Sequence, residues 1–146
     1  MEQGDFENPS LSEIDAFFRG VERIAVVGLS PKAKRPSHGV ARVLLSFGFE
    51  IVPVRPAVDR VLDRQAYPSL LDVPDRIDVV DVFRAAEFVP EIVDHSLAVG
   101  ARGLWLQDGI VDRRSAERAR DAGLFVVMDD CLARVGHRLG WGKRAD

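Results

Sequence analysis

A single cysteine, Cys131, excludes an internal disulfide and a cysteine-rich zinc site, and such sparing use suits a reducing cytoplasm. No apolar run approaches the length of a membrane span, and the opening residues MEQGDFENPS are acidic and polar, unlike a signal peptide. An excess of one charge is missing too. Twenty lysines and arginines against 23 acidic residues leave a formal charge of -3, so neither nucleic acid nor membrane is expected as a partner. Any anion site must therefore be a local cluster of cations. No pair among the three histidines has useful metal spacing, and there is no G-x-S-x-G elbow, so no metal site or catalytic set is expected. Internal repeats and low-complexity segments are also absent.

What remains is ordinary globular material, 47% hydrophobic and 29% charged. A chain of 146 residues suffices for one domain with a real core and is too short for two. Residues 1–146 are thus expected as one domain, with a leading helix within residues 1–20 and a tail at 139–146.

Ser10 and Glu13 have capping-box spacing, followed by Leu11, Ile14, Phe17 and Phe18 on one helical face, with Gly20 as the stop. Five apolar runs read as strands: 23–27, 50–54, 77–83, 103–107 and 124–128. Between them, Ser37 is placed to cap a helix carrying Val40, Val43, Leu44 and Phe47. Tyr67-Pro68-Ser69 opens a turn-rich stretch with one helical turn through Leu71. Residues 87–99 read as a helix with Phe88, Ile92, Leu97 and Val99 inward, residues 113–122 as a charged helix, and a last helix starts near Asp130. Strands alternating with helices predict right-handed βαβ units and an α/β Rossmann-like three-layer sandwich with a five-stranded parallel sheet. The expected strand order is 3-2-1-4-5, with ligands beyond the carboxyl ends beside the switch point.

That rule directs attention to the strand ends. IAVVGLSPKAKRPSHG leaves the first strand at Gly28 without the second and third glycines of a dinucleotide fingerprint. A tight turn at Gly28, the helix start near Ser37, and Lys32, Lys34 and Arg35 fit a phosphate seat, and Pro31 and Pro36 stiffen it; a solvated basic loop is the alternative. The second strand ends in Arg55-Pro56, where an NAD site would carry Asp or Glu. This disfavours NAD and fits a ribose phosphate, in NADP or coenzyme A, unless Arg55 is merely an exposed strand-end arginine. Arg84 closes the third strand. Gly109-Ile110, after Gln107-Asp108, offers backbone approach and one apolar contact for a slender chain such as pantetheine, or a simple turn. His38, beside the phosphate loop, reads as a phosphate contact or, in preference, as decoration of a helix start, His95 and His137 as surface residues, and Asp81 as a buried structural carboxylate. Cys131 lacks an evident base.

In order and at matching spacing, GLSPK-x-x-RPS, VPV-x-P, YPSL, DVVDVFR, WLQ-x-G-I and VVMDDC resemble the stand-alone CoA-binding domain proteins of bacteria and archaea. These are similar to the N-terminal nucleotide-binding domain of the succinyl-CoA synthetase α-subunit, and the resemblance covers residues 15–138. It implies coenzyme A or an acyl-CoA as ligand, with Gly28, Ser30, Lys32, Arg35 and Ser37 along its phosphate and ribose portion. It implies that Val54, Arg55 and Pro56 border the nucleotide, that Val82, Phe83 and Arg84 line the next strand end, and that Gln107, Gly109 and Ile110 flank the pantetheine arm. Two departures stand out: the family often has asparagine where this chain has Arg55, and proline where it has Ala85. The synthetases phosphorylate a histidine in a second domain, so complete ligase activity is not expected of these residues. The expectation is a CoA-binding protein, a homo-oligomer or the partner of an acyl-CoA enzyme; the alternative is an NADP-dependent reductase or a small acyl-CoA-processing enzyme.

Overall fold

Each of the five apolar runs becomes a strand of one parallel sheet in the computed structural model, which describes residues 6–144. In chain order the strands are β1 (Arg23–Val27), β2 (Glu50–Val54), a small antiparallel hairpin of β3 (Arg60–Val61) and β4 (Arg64–Gln65), then β5 (Val79–Val82), β6 (Gly103–Leu106) and β7 (Phe125–Met128). The helices are α1 (Leu11–Phe18), α2 (Pro36–Ser46), α3 (Val89–Ala98), α4 (Arg113–Asp121), α5 (Leu132–Arg138) and α6 (Trp141–Arg144). Side chains alternate across a strand, so a sheet covered on both faces needs apolar residues at nearly every position. One core lies under α3 and α4 and includes Val80, Val82, Ile92 and Ala116. The other lies under α1, α2, α5 and α6 and includes Ile24, Leu44, Trp105 and Trp141. The expected three-layer fold is present.

The strand order is different from the one expected. The sheet runs β2-β1-β5-β6-β7, which places the five runs in the order 2-1-3-4-5. Pro53 explains the difference. Its carbonyl faces away from β1 and accepts from Tyr67 N–H at 3.0 Å. The proline nitrogen faces the same way and has no hydrogen to donate, so β2 is suited to the edge and not to the interior. The third run instead lies on the far side of β1, with Val26 opposite Asp81. The switch point therefore falls between β1 and β5.

Local chemistry sets the remaining elements. The capping box forms as the spacing predicts: Glu13 N–H donates to Ser10 Oγ at 3.2 Å, and Ser10 N–H to Glu13 Oε1 at 2.7 Å. Phe17 stacks on Phe125 with centroids 4.2 Å apart. Residues 139–146, expected as a tail, include α6, whose Trp141 is buried and donates from Nε1 to Asp15 Oδ1 at 2.8 Å. The other sheet edge is covered by a side chain. Asn8 donates to Met128 C=O at 2.9 Å and accepts from Met128 N–H at 2.8 Å, standing in for a strand on β7.

Two helices depart from expectation. Arg35, not Ser37, is the N-cap of α2, because Pro36 takes the first helical position, where its fixed φ fits and no N–H is needed. In α3 the buried positions are Val89, Ile92, Val93 and Ser96, whereas Leu97 is exposed. A preceding 3-10 turn at Ala86–Phe88 shifts the helix start, and with it the inward face.

Candidate functional site

The carboxyl ends of β1 and β5 meet at Gly28. Its φ is +88°, and a Cβ there would lie 2.6 Å from the Phe83 carbonyl oxygen, so only glycine fits. Gly28 N–H donates to Val54 C=O at 2.8 Å, and Phe83 N–H to Val27 C=O at 2.9 Å, locking three strand exits together. The loop that follows is already shaped. Ser30 N–H donates to Ser37 Oγ at 2.9 Å, Lys32 N–H to Ser30 Oγ at 3.0 Å, and Arg35 N–H to Lys32 C=O at 3.1 Å. Ser37 thus acts from inside α2, as a tie for the loop.

Three cavities adjoin this point through shared residues. A cavity of 240 Å³ lies at the start of α2, lined by Gly28, Ser30, Arg35, Ser37, Arg55 and Phe83. Gly28 and Arg55 connect it to a cavity of 640 Å³ that also takes in Pro56, Ser69, Arg84 and His95. Pro36 and Phe83 connect it on the other side to a cavity of 470 Å³ lined by Val40, Ala85, Gln107, Ile110 and Cys131. The last is mostly apolar, and the first is mostly polar. Together they form a trough across the sheet end, most polar at the start of α2 and most apolar toward β6.

Among the described residues Lys32, Lys34, Arg35, Arg55 and Arg84 have no ion-pair partner; Arg42, Arg60, Arg64, Arg113, Arg114 and Arg138 also have none, but of these unpaired cations Arg35, Arg55 and Arg84 line the trough. Arg55 donates from Nη1 to Gly28 C=O at 3.3 Å, and the Arg84 guanidinium lies 3.8 Å from the centroid of Phe88. Unpaired cations around a trough leave it ready for an anion. One carboxylate, Glu91, also lines the largest of the three cavities, 3.9 Å from His95 Nε2.

The sequence-predicted residues fall in distinct places. Gly28, Ser30, Arg35, Ser37, Arg55, Pro56, Phe83, Arg84, Gln107 and Ile110 line the trough, as does Val54. Val82 is buried below it, and Lys32 is exposed and outside the three linings. Gly109 is outside them too, in an exposed turn with φ +81°, and a Cβ there would meet open space. Its N–H donates to Asp129 Oδ1 at 2.7 Å. Arg134 clamps the same turn by bonding Asp108 and Asp130, and its hydrogen bonds hold the Asp108 carboxyl below its ordinary range.

Ser69, Glu91 and His95 were not singled out for the site by the sequence reading, which placed His95 on the surface; half-buried, it lines the largest of the three cavities. His38 is buried instead of decorating the helix start, with Nδ1 unpartnered. Asp81 is fully buried, as expected, and its Oδ1 accepts from Gln107 Nε2. Burial pushes its carboxyl up to about 7.

Known proteins share this architecture. The profile of a CoA binding domain family matches residues 22–137. The chain is 37% identical over 131 residues to the uncharacterized protein YneT of Bacillus subtilis, covering 90% of this chain and 96% of that protein. It is 33% identical over 101 residues to an ADP-forming acetate–CoA ligase of Archaeoglobus fulgidus, covering 68% of this chain and 14% of the ligase. A solved structure of a hypothetical protein from Pyrococcus horikoshii superposes with a TM-score of 0.86 at 34% identity, covering 95% of this chain and 99% of that one.

Proposed function

The chain belongs to the CoA-binding domain family, and from that premise we propose that it binds coenzyme A or an acyl-CoA across the carboxyl ends of its sheet. The observation that carries this reading is the set of unpaired cations, Arg35, Arg55 and Arg84, around a trough whose far end is apolar. The diphosphate sits at the start of α2, against Gly28, Ser30, Arg35 and Ser37, where backbone N–H groups and the helix dipole favour anions. Lys32 adds charge from the rim. The adenosine and its 3′-phosphate occupy the larger cavity between Arg55-Pro56 and Arg84, and the pantetheine arm runs past Phe83, Gln107, Gly109 and Ile110. Val54 and Val82 support the floor.

The role is that of a binder, a carrier or a partner for an acyl-CoA enzyme, without a complete ligase apparatus. The matching segment is a small part of the acetate–CoA ligase, whose activity is not carried over. Native mass spectrometry of the purified protein incubated with CoA tests the reading. A one-to-one adduct is expected. An adduct with NADP and none with CoA would replace it with the reductase alternative.

A further inference from the structure

Val79 and Asp81 of β5 face α2 and α5, while Val80 and Val82 face the opposite core. Asp81 is fully buried between Val26 and Trp105 of the neighbouring strands. A carboxyl is an expensive occupant of such a position, where an apolar residue would pack at no desolvation cost. Its Oδ1 accepts from Gln107 Nε2 at 2.5 Å, and its Oδ2 has no partner. Gln107 is only 3% exposed, yet it lines the 470 Å³ cavity, and its side-chain oxygen is engaged by none of the described residues.

We propose that Asp81 is a positioning residue for the ligand's pantetheine arm. As a carboxylate it only accepts hydrogen bonds, so it holds the Gln107 amide with its nitrogen inward and its oxygen toward the cavity. That wall then accepts from an N–H of the arm. The inference rests on the CoA reading above and adds a residue that does not itself touch the ligand.

A proton on Asp81 changes the geometry. Its O–H can donate to the Gln107 oxygen, so the amide is no longer held one way and can present its nitrogen instead. With the carboxyl pushed up by burial to about 7, against the lowering effect of the Gln107 bond, this change falls near neutral pH. The surrounding groups are few. β1 and β6 bring uncharged Val26 and Trp105, and α2 brings the buried His38. On the α5 side the buried residues are apolar, Leu132 and Val135 among them; Cys131 is half-buried, and Arg134 and His137 are exposed, with Arg134 held by Asp108 and Asp130. At the cavity rim stand Arg84 and Asp108.

The test compares CoA affinity of the wild type and Asp81→Asn by calorimetry from about pH 6 to about pH 8, with adenosine 3′,5′-bisphosphate as a probe lacking the pantetheine arm. Titration of the ligand's own phosphates cancels between the two proteins. The wild type is expected to gain about three- to tenfold in CoA affinity relative to the variant as pH rises. Bisphosphate affinity is expected to change equally in both. A wild-type-to-variant ratio that stays constant for CoA overturns the Asp81 inference alone, and binding of neither ligand overturns the CoA reading together with it. Should the variant not fold, the side-chain amide NMR signal of Gln107 in the CoA-bound wild type serves instead. A shift with a midpoint near neutral pH is expected, and an unmoving signal contradicts the inference.

Discussion

Arg55 at the end of β2 reaches across the strand boundary to the carbonyl oxygen of Gly28, with Nη1 3.3 Å from it. That contact fixes a guanidinium over the exit of β1 and leaves its remaining donors facing two cavities. The resemblance suggested asparagine at this position, so Arg55 is a charge this chain adds to the site. Arg55→Ala is expected to weaken CoA binding by about 1–3 kcal/mol, the scale of one charge-assisted hydrogen bond. The loss should be smaller for 3′-dephospho-CoA. Equal losses for the two ligands in calorimetry would remove Arg55 from the 3′-phosphate.

The loop cations should not be equivalent. Arg35 lines the cavity at the start of α2, whereas Lys32 is exposed beyond the linings. Arg35→Ala is therefore expected to cost about 1–3 kcal/mol of CoA affinity, and Lys32→Ala under about 1 kcal/mol, as for a solvent-screened charge. A larger effect at Lys32 than at Arg35 would show that the loop closes differently on its ligand.

Gly28→Ala tests the joint between the strands. The substitution meets both a positive φ and a carbonyl oxygen at 2.6 Å, so the exits of β1 and β5 must part. Urea unfolding should show a loss of about 1–3 kcal/mol, the cost of a residue held in a sparsely populated conformation, and CoA binding should fall with it. Unchanged stability would mean that the joint is looser than its geometry.

The opposite end of the sheet is held by Asp78, and it has its own pH signature. Its Oδ2 accepts from Glu22 N–H at 2.9 Å and Arg23 N–H at 3.0 Å, and Arg76 and Arg102 pair with Oδ1. Burial alone would raise this carboxyl, but the two N–H groups and two arginines outweigh it and hold it below its ordinary 3.8. The stability it contributes is present above that ordinary value and is lost as pH falls through the lower folded value. Asp78→Ala should cost about 1–3 kcal/mol for each orphaned backbone donor at neutral pH. It should also flatten the acid limb of the stability curve, which urea titrations at several acid pH values measure.

Asp81 has the reverse sign. Its folded value, about 7, lies above the ordinary 3.8, so the native state holds the extra proton between them. Stability from this group is full below the ordinary value and declines as pH rises through the folded one. Asp81→Asn should remove that decline, and a variant whose stability falls as steeply as the wild type between the ordinary value of 3.8 and about 7 would show that another group titrates there.

The fold was legible because apolar runs and glycine stops are local signals, and both bracket the five strands closely. Strand order is a non-local property, and the one local sign of it, Pro53 in β2, marks an edge only once its missing N–H is weighed. The site was half legible. Residues immediately after each strand, such as Gly28, Arg55, Arg84 and Gln107, follow from the rule that ligands bind at strand ends. Ser69, Glu91 and His95 come to the trough from the turn at Leu70–Asp72 and from α3, and only the packing of α3 brings them there. A histidine four residues after a glutamate on a helix looks like surface decoration until the neighbouring cavity is seen.

The most discriminating measurement is calorimetric titration of the wild-type protein with CoA, 3′-dephospho-CoA and NADP. One-to-one binding of CoA is expected, with weaker binding of 3′-dephospho-CoA and less affinity for NADP than for either. No heat with CoA and a clear saturable response to NADP would contradict the proposed CoA binding.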